Sequence, residues 1–331
     1  MNPPVCLIVQ PIHPSGMARL RAAGVDARMA SAADMATVAR EIAPCQAVIT
    51  RNAGLDTAAI DAGTQLAVIA NHGIGTNKID VARATALSIP IVYTPTANAR
   101  SVAEHAIMQM LAVGKRLGAC DHAVRAGDWD YRYQSGLQEL HGKTLGIVGF
   151  GTIGRLTAAI ALHGLGMRVV VYSPAVPASA IAAEGAQACS SLDELLAQAD
   201  VVSLHRPSRP DTRHMIDARA LARMKPAAIL VNTARADLID TDALVAALRD
   251  RRIAGAALDV FEQEPLPAMH PLCGLDNVLL TPHTAGSTDE ALRAAAEQCA
   301  DQIIDVLAAR RPAHLVNPQV WETRRQPAVP A

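Results

Sequence analysis

Apolar runs of four to seven residues recur along the chain, separated by longer Ala-rich segments of mixed polarity. The first four are residues 5–9, 47–50, 66–70 and 91–94. Short runs without polar alternation fit strands buried on both faces, as in a parallel sheet, and intervening segments such as 32–41 are long enough for crossover helices. A second series follows at residues 144–150, 169–172, 201–204, 228–231, 256–260 and 277–280. Six strands alternating with helices predict a doubly wound sheet. Helices are expected over 101–115, opened by a Ser101/Glu104 capping box, then over 191–199, 217–224 and 241–251. A last one is expected from a Ser287/Glu290 box to about Arg310. Its apolar exit, Leu315 to Pro318, is suited to docking on the first series. The pattern therefore predicts a discontinuous domain (1–100 with 287–320), a second domain (101–286), and a disordered tail (321–331).

Composition narrows the function classes. Half of the 331 residues are hydrophobic, ample for two cores, whereas a formal charge of −1 and 2% aromatic residues argue against a nucleic-acid surface. The six cysteines form no C-x-x-C pair, so neither a zinc site nor a disulfide framework is indicated, and no metal is expected. Buried reduced thiols in a cytoplasmic protein fit that spacing. The first apolar run is too short for a secretory signal, and no run approaches a membrane span, so no membrane partner is expected. Trp129, Tyr131 and Tyr133 cluster in a polar stretch that reads as an interface anchor, a lid, or plain packing.

The strongest motif is Gly149-Phe-Gly151-Thr152-Ile153-Gly154, set between an apolar run and a helical stretch. In that context the first glycine makes the tight turn, the second lets backbone approach a pyrophosphate, and the third lets the helix pack on its strand. The anion would sit on the free N–H groups of Thr152 and Ile153 at the helix N-terminus. A second glycine run, Asn71-His72-Gly73-Ile74-Gly75, follows a strand of the first series, and an ordinary turn is an equal reading of it.

Three ionisable residues follow strands of the second series: Arg235, Glu264 and His283. Hydride transfer to a 2-oxo acid needs one of each kind. A guanidinium grips carboxylate and carbonyl oxygens, an imidazole gives its proton to the carbonyl oxygen, and a carboxylate orients that imidazole and favours its charged form. Each alone also fits an ordinary role as a surface ion pair, a solvated loop carboxylate or a hydrogen-bonded histidine.

Taken together, Gly73-Ile-Gly75, Ser101-Val-Ala-Glu104, Leu140 to Gly154, Asn232-Thr-Ala-Arg235, Ala257 to Pro267 and Thr281-Pro-His283 resemble the D-2-hydroxyacid dehydrogenase family. That family includes D-3-phosphoglycerate dehydrogenase and the glyoxylate/hydroxypyruvate reductases, and the resemblance runs from about Ala47 to Pro318. It implies a Rossmann dinucleotide domain plus a smaller flavodoxin-like α/β substrate domain with a cleft between them. It implies a homodimer through the segment around Trp129, and oxidoreduction of a small 2-oxo or 2-hydroxy acid with NAD, NADP being possible. Arg235, Glu264 and His283 become the catalytic set. Arg51, Asn71, His72, Gly73, Ile74 and Gly75 become the substrate side. Gly149, Gly151, Thr152, Ile153, Gly154, Ser173, His205, Arg206, Pro207, Thr212, Thr233, Ala234 and Asp259 become the cofactor side, with Asp259 at the nicotinamide carboxamide.

Some positions depart from the family pattern. Ala236 and Thr96 stand where glycine is common, and Ser173 stands where an acid usually binds the adenosine ribose and excludes a 2′-phosphate. Arg206, or Arg209, is the cation available for NADP. Related formate dehydrogenases carry glutamine where Glu264 stands, which argues against formate, and phosphite oxidation is a minor alternative. Corepressors of the C-terminal-binding-protein type share the fold without catalysis; the chain lacks a basic or extended interaction segment for that role.

Overall fold

The structure, a computed structural model, describes residues 3–133 and 136–326. They form two compact units, one of residues 3–98 with 287–326 and the other Ala99–Gly286.

In the first unit five parallel strands, β1 (Val5–Ile8), β2 (Asp26–Met29), β3 (Ala47–Thr50), β4 (Val68–Asn71) and β5 (Ile91–Tyr93), lie in the order β2-β1-β3-β4-β5. That is the flavodoxin-type order. β3 and β4 are buried along their whole length, which is why they read as unbroken apolar runs. β2 lies at the sheet edge with only Ala27 buried, and Asp26 pairs with Arg28 on it, so no apolar run announces it.

In the second unit seven parallel strands, β6 (Thr144–Val148), β7 (Arg168–Tyr172), β8 (Gln187–Ala188), β9 (Val201–Leu204), β10 (Ile229–Asn232), β11 (Gly255–Leu258) and β12 (Val278–Leu280), lie in the order β12-β11-β10-β9-β6-β7-β8. The order reverses between β6 and β9, the switch point at which a doubly wound sheet opens its ligand crevice. The two-residue edge strand β8 is the one the apolar pattern does not reveal.

Helix starts follow local capping chemistry. Asp34, Asp56, Asp80, Ser191, Asp217, Asp240 and Thr288 each accept from the backbone N–H three residues on, a contact worth about 1 kcal/mol apiece. Two expected caps are corrected. Ser101 lies inside the helix Ala99–Gly114, and its hydroxyl bonds the Ala285 carbonyl instead. Thr288, not Ser287, caps the last long helix, which ends at Leu307.

The exit of that helix lies against β5. Leu315 bridges Val92, and Asn317 both accepts from Ile91 N and donates to the Ile89 carbonyl. The expected disordered tail is corrected at its start. Trp321 is buried in the first unit's core, Arg324 lies over its ring, and Arg325 N–H donates to the Ser88 carbonyl. Residues 327–331 lie outside the described set. The six cysteines are free; Cys6, Cys45, Cys189 and Cys299 are buried, but Cys120 is half-buried and Cys273 exposed, contrary to uniform burial. Among the described residues no helix is long and apolar enough to cross a membrane, and no group of three His, Cys, Asp or Glu could hold a metal.

Candidate active site

The glycine motif joins β6 to the helix Thr152–Leu165. Gly149 has φ +101, and a Cβ there would lie 2.6 Å from the His205 carbonyl oxygen. A Cβ on Gly154 would lie 2.2 Å from the Gly149 oxygen, so the helix sits too close to its strand for any side chain. Gly151 differs: nothing stands within 4 Å of a Cβ there. That open space lies before a helix N-terminus with no side-chain cap, where the N–H groups of Thr152 and Ile153 favour an anion. Nearby on the sheet edge, the Thr233 hydroxyl is buried without a partner. An open backbone cradle and an orphaned buried hydroxyl fit a dinucleotide.

The remaining expected cofactor residues frame the same edge. Ser173, after β7, accepts from Phe150 N–H at 3.2 Å and so braces the glycine turn. Arg206 packs its stem over Gly149 and stands 3.6 Å from Asp211. His205 Nε2 meets Ser203 Oγ at 2.9 Å, and burial pushes its pKa down to about 4. Thr212 is fully buried, donating to the Pro207 carbonyl and accepting from Arg209 N–H, which folds the 207–212 loop. Ala234 N–H donates to Asn232 Oδ1 while Asn232 Nδ2 donates to the Arg235 carbonyl, so one amide shapes the whole 232–235 turn.

Arg235 follows β10, with its guanidinium donating to the Ala234 carbonyl at 2.6 Å. Burial lowers its pKa, opposed by Asp237 and Glu264. His283 follows β12 and has φ +54, a left-handed backbone rare outside glycine. Its Nδ1 lies 3.0 and 3.1 Å from the two Glu264 carboxylate oxygens. Phe261 N–H also donates to Glu264 Oε1, which fixes the carboxylate. An ionised carboxylate can only accept, so Nδ1 carries a proton and Nε2 is the nitrogen free to exchange one.

Asp259, expected at the nicotinamide, has no exposed surface. It accepts from Thr281 Oγ1 at 2.5 Å, Thr284 N–H at 2.9 Å and Ala285 N–H at 2.9 Å. Its carboxylate thus organises the His283 loop. Sequence reasoning assigned no site role to Thr281, His105 or Gln109, which join this network. The available signal was polar residues four apart, Ser101, His105 and Gln109, on an otherwise largely apolar helix.

The expected substrate residues belong to the first unit. Arg51 follows β3, donates to the Pro11 carbonyl at 2.6 Å, and has no carboxylate in ion-pair range among the described residues; burial lowers its pKa. Asn71 ends β4 and spans its own loop by donating to the Gly73 and Gly75 carbonyls, with Gly73 at φ +143 and Ile74 between them. His72 turns its Nε2 to the Leu292 carbonyl at 3.3 Å, and burial, then the Arg51 charge, pushes its pKa down to about 4.

Comparison with known proteins agrees with the fold. Residues 107–285, more than half of the chain, match the NAD-binding domain of the D-isomer specific 2-hydroxyacid dehydrogenases. A glyoxylate reductase of Thermofilum pendens is 40% identical over 273 residues, covering 82% of this chain and 80% of that protein. A D-3-phosphoglycerate dehydrogenase of Methanocaldococcus jannaschii is 36% identical over 94% of this chain, which spans 59% of the longer relative. The solved D-lactate dehydrogenase of Aquifex aeolicus, complexed with NAD and lactic acid, superposes with a TM-score of 0.84 at 27% identity, covering 95% of this chain and 99% of that one. The chain belongs to the D-isomer specific 2-hydroxyacid dehydrogenase family, whose members are NAD(P)-linked oxidoreductases of 2-hydroxy and 2-oxo acids.

Proposed function

We propose that the chain interconverts a small 2-oxo acid and the D-2-hydroxy acid, with glyoxylate or hydroxypyruvate the favoured oxo acid and 3-phosphohydroxypyruvate next. The observation that carries the reading is the His283–Glu264 pair with its exchangeable nitrogen, Nε2, free of that contact. A dinucleotide whose pyrophosphate is held by the glycine turn and the N–H groups of Thr152 and Ile153 would supply the hydride from its reduced nicotinamide. His283 Nε2 gives its proton to the carbonyl oxygen as negative charge grows there, and Glu264 holds the ring in place through Nδ1–H. Arg235 receives the substrate carboxylate and shares the carbonyl oxygen, where loss of hydration makes its charge more effective. The smaller substrates fit best with the relative covered to 80% of its length, a glyoxylate reductase.

Either cofactor serves. Ser173 neither attracts the ribose 2′-hydroxyl as an acid would nor repels a 2′-phosphate, and Arg206 beside Asp211 is the cation an added phosphate would recruit. The protein works as a homodimer. Leu117, Val124, Trp129 and Tyr133 expose large apolar side chains along one segment, with Trp129 and Tyr133 in a single helical turn where a polar loop was expected.

The test is a screen of glyoxylate, hydroxypyruvate, 3-phosphohydroxypyruvate and pyruvate against NADH and NADPH, repeated with Ser173→Asp and Arg206→Ala. Reduction of at least one acid is expected, with Ser173→Asp favouring NADH and Arg206→Ala weakening NADPH. A chain that binds NADH yet reduces none of the four would overturn the reading.

A further inference from the structure

The helix Ala99–Gly114 turns a polar stripe toward the loop that carries His283. Ser101, His105 and Gln109 are four residues apart and so share a face. Ser101 Oγ donates to the Ala285 carbonyl at 2.7 Å, while His105 Nε2 and Gln109 Nε2 reach Thr281 Oγ1 at 3.1 and 3.0 Å. From the other side Asp259 takes the Thr281 hydroxyl and the N–H groups of Thr284 and Ala285. Both ends of the segment 281–285 are therefore held, with His283 at its centre in a left-handed conformation that its surroundings must impose.

Proton counting makes the network directional. The Asp259 carboxylate has no proton to give, so the Thr281 hydroxyl proton is committed to it, and the Thr281 oxygen can only accept. Gln109, with no exposed surface, supplies an amide N–H. His105 must present Nε2–H, and its side chain is only 15% exposed, too dry for water to substitute readily. Apolar residues fill most of the rest of this helix's buried surface, so plain packing does not call for three polar groups on one loop.

We propose that Ser101, His105 and Gln109 are positioning residues that act through Thr281 and Asp259 to hold the His283 backbone, and so keep Nε2 aimed in one direction during proton transfer. This rests on His283 being the proton donor of the proposed reaction.

The test compares His105→Phe, which removes the donor but keeps a planar ring, with His105→Gln, which restores an N–H. Gln109→Leu serves as an independent second site. Three properties are read: hydrogen–deuterium exchange at the Thr284 and Ala285 amides, the split between kcat and the KM for NADH, and the solvent deuterium isotope effect on kcat. Exchange at those two amides should rise roughly fivefold or more in His105→Phe and Gln109→Leu, with the β6 and β9 amides unchanged. In the same variants kcat should fall about tenfold with the KM for NADH within about twofold, the isotope effect should increase, and His105→Gln should recover most of the loss. Unchanged exchange and kcat in variants that still bind NADH would overturn the proposal. So would faster exchange throughout Ala99–Gly286 without rescue by glutamine, which would mark simple packing. If the wild type reduced no 2-oxo acid, the proposed function would fail, while the exchange measurement would still decide whether the stripe holds the loop.

Discussion

His283 Nδ1 and the Glu264 carboxylate meet through both oxygens, at 3.0 and 3.1 Å, while Phe261 N–H pins one of those oxygens. The pair leaves little room for a neutral substitute. In Glu264→Gln the amide oxygen is expected to stay on Phe261 N–H, turning the amide NH2 toward the protonated Nδ1, donor against donor. The ring then keeps only the contact to the amide oxygen and loses both its second acceptor and the negative charge beside it. We expect kcat/KM for oxo-acid reduction to fall roughly a hundredfold, about 2.7 kcal/mol, with NADH affinity unchanged. Steady-state kinetics beside NADH fluorescence titration checks this; wild-type kcat/KM in the variant would remove the pair from the mechanism.

Arg235 combines a buried charge with a fork held by the Ala234 carbonyl. Lysine keeps the charge and loses the two-pronged grip, so Arg235→Lys should cost about tenfold or more in kcat/KM, near 1.4 kcal/mol. Activity equal to wild type would make Arg235 a structural cation.

Gly154 and Gly151 should separate packing from binding. A Cβ at Gly154 meets backbone oxygen at 2.2 Å, so Gly154→Ala should destabilise the fold by about 1–3 kcal/mol. Gly151 has open space and φ −80, which alanine adopts freely, so Gly151→Ala should leave stability nearly unchanged and weaken NADH binding instead. Urea unfolding and NADH titration read the two effects. Equal stability losses in both variants would deny Gly151 its role at the anion.

His72 and His205 set an acid limit on stability. Burial holds each near pKa 4 in the folded chain, against 6.5 for an ordinary imidazole. Between those values the unfolded chain binds the extra protons, so stability is full above about pH 6.5 and declines as pH falls toward 4. His72→Gln and His205→Gln should each flatten the decline of unfolding free energy between pH 7 and pH 4.5 measured in urea. Wild-type slopes in both variants would show that these rings titrate normally.

How much of this was legible in the sequence follows from where each interaction lies along the chain. Strands buried on both faces, such as β3 and β10, appear as apolar runs because nothing on them faces water. β2 and β8 do not, since β2 carries Asp26 and Arg28 and β8 is only two residues long. Arg235, Glu264 and His283 could be singled out as candidates because each directly follows or closely trails a strand within a motif. The Asp259 network could not. Its bonds join residues 22 to 184 positions apart, and the spacing of Ser101 and Glu104 imitates a cap that the helix, starting earlier at Ala99, does not use.

Direct hydride transfer is tested most sharply by following the label from NADH deuterated at the transferable C4 position into the reduced product of hydroxypyruvate or pyruvate. We expect deuterium at C2 of a product of D configuration, and loss of that product in His283→Ala protein that still binds NADH. Product of L configuration, C2 without deuterium, or undiminished turnover in His283→Ala would contradict the assignment of His283 as the proton donor in a D-specific hydride transfer.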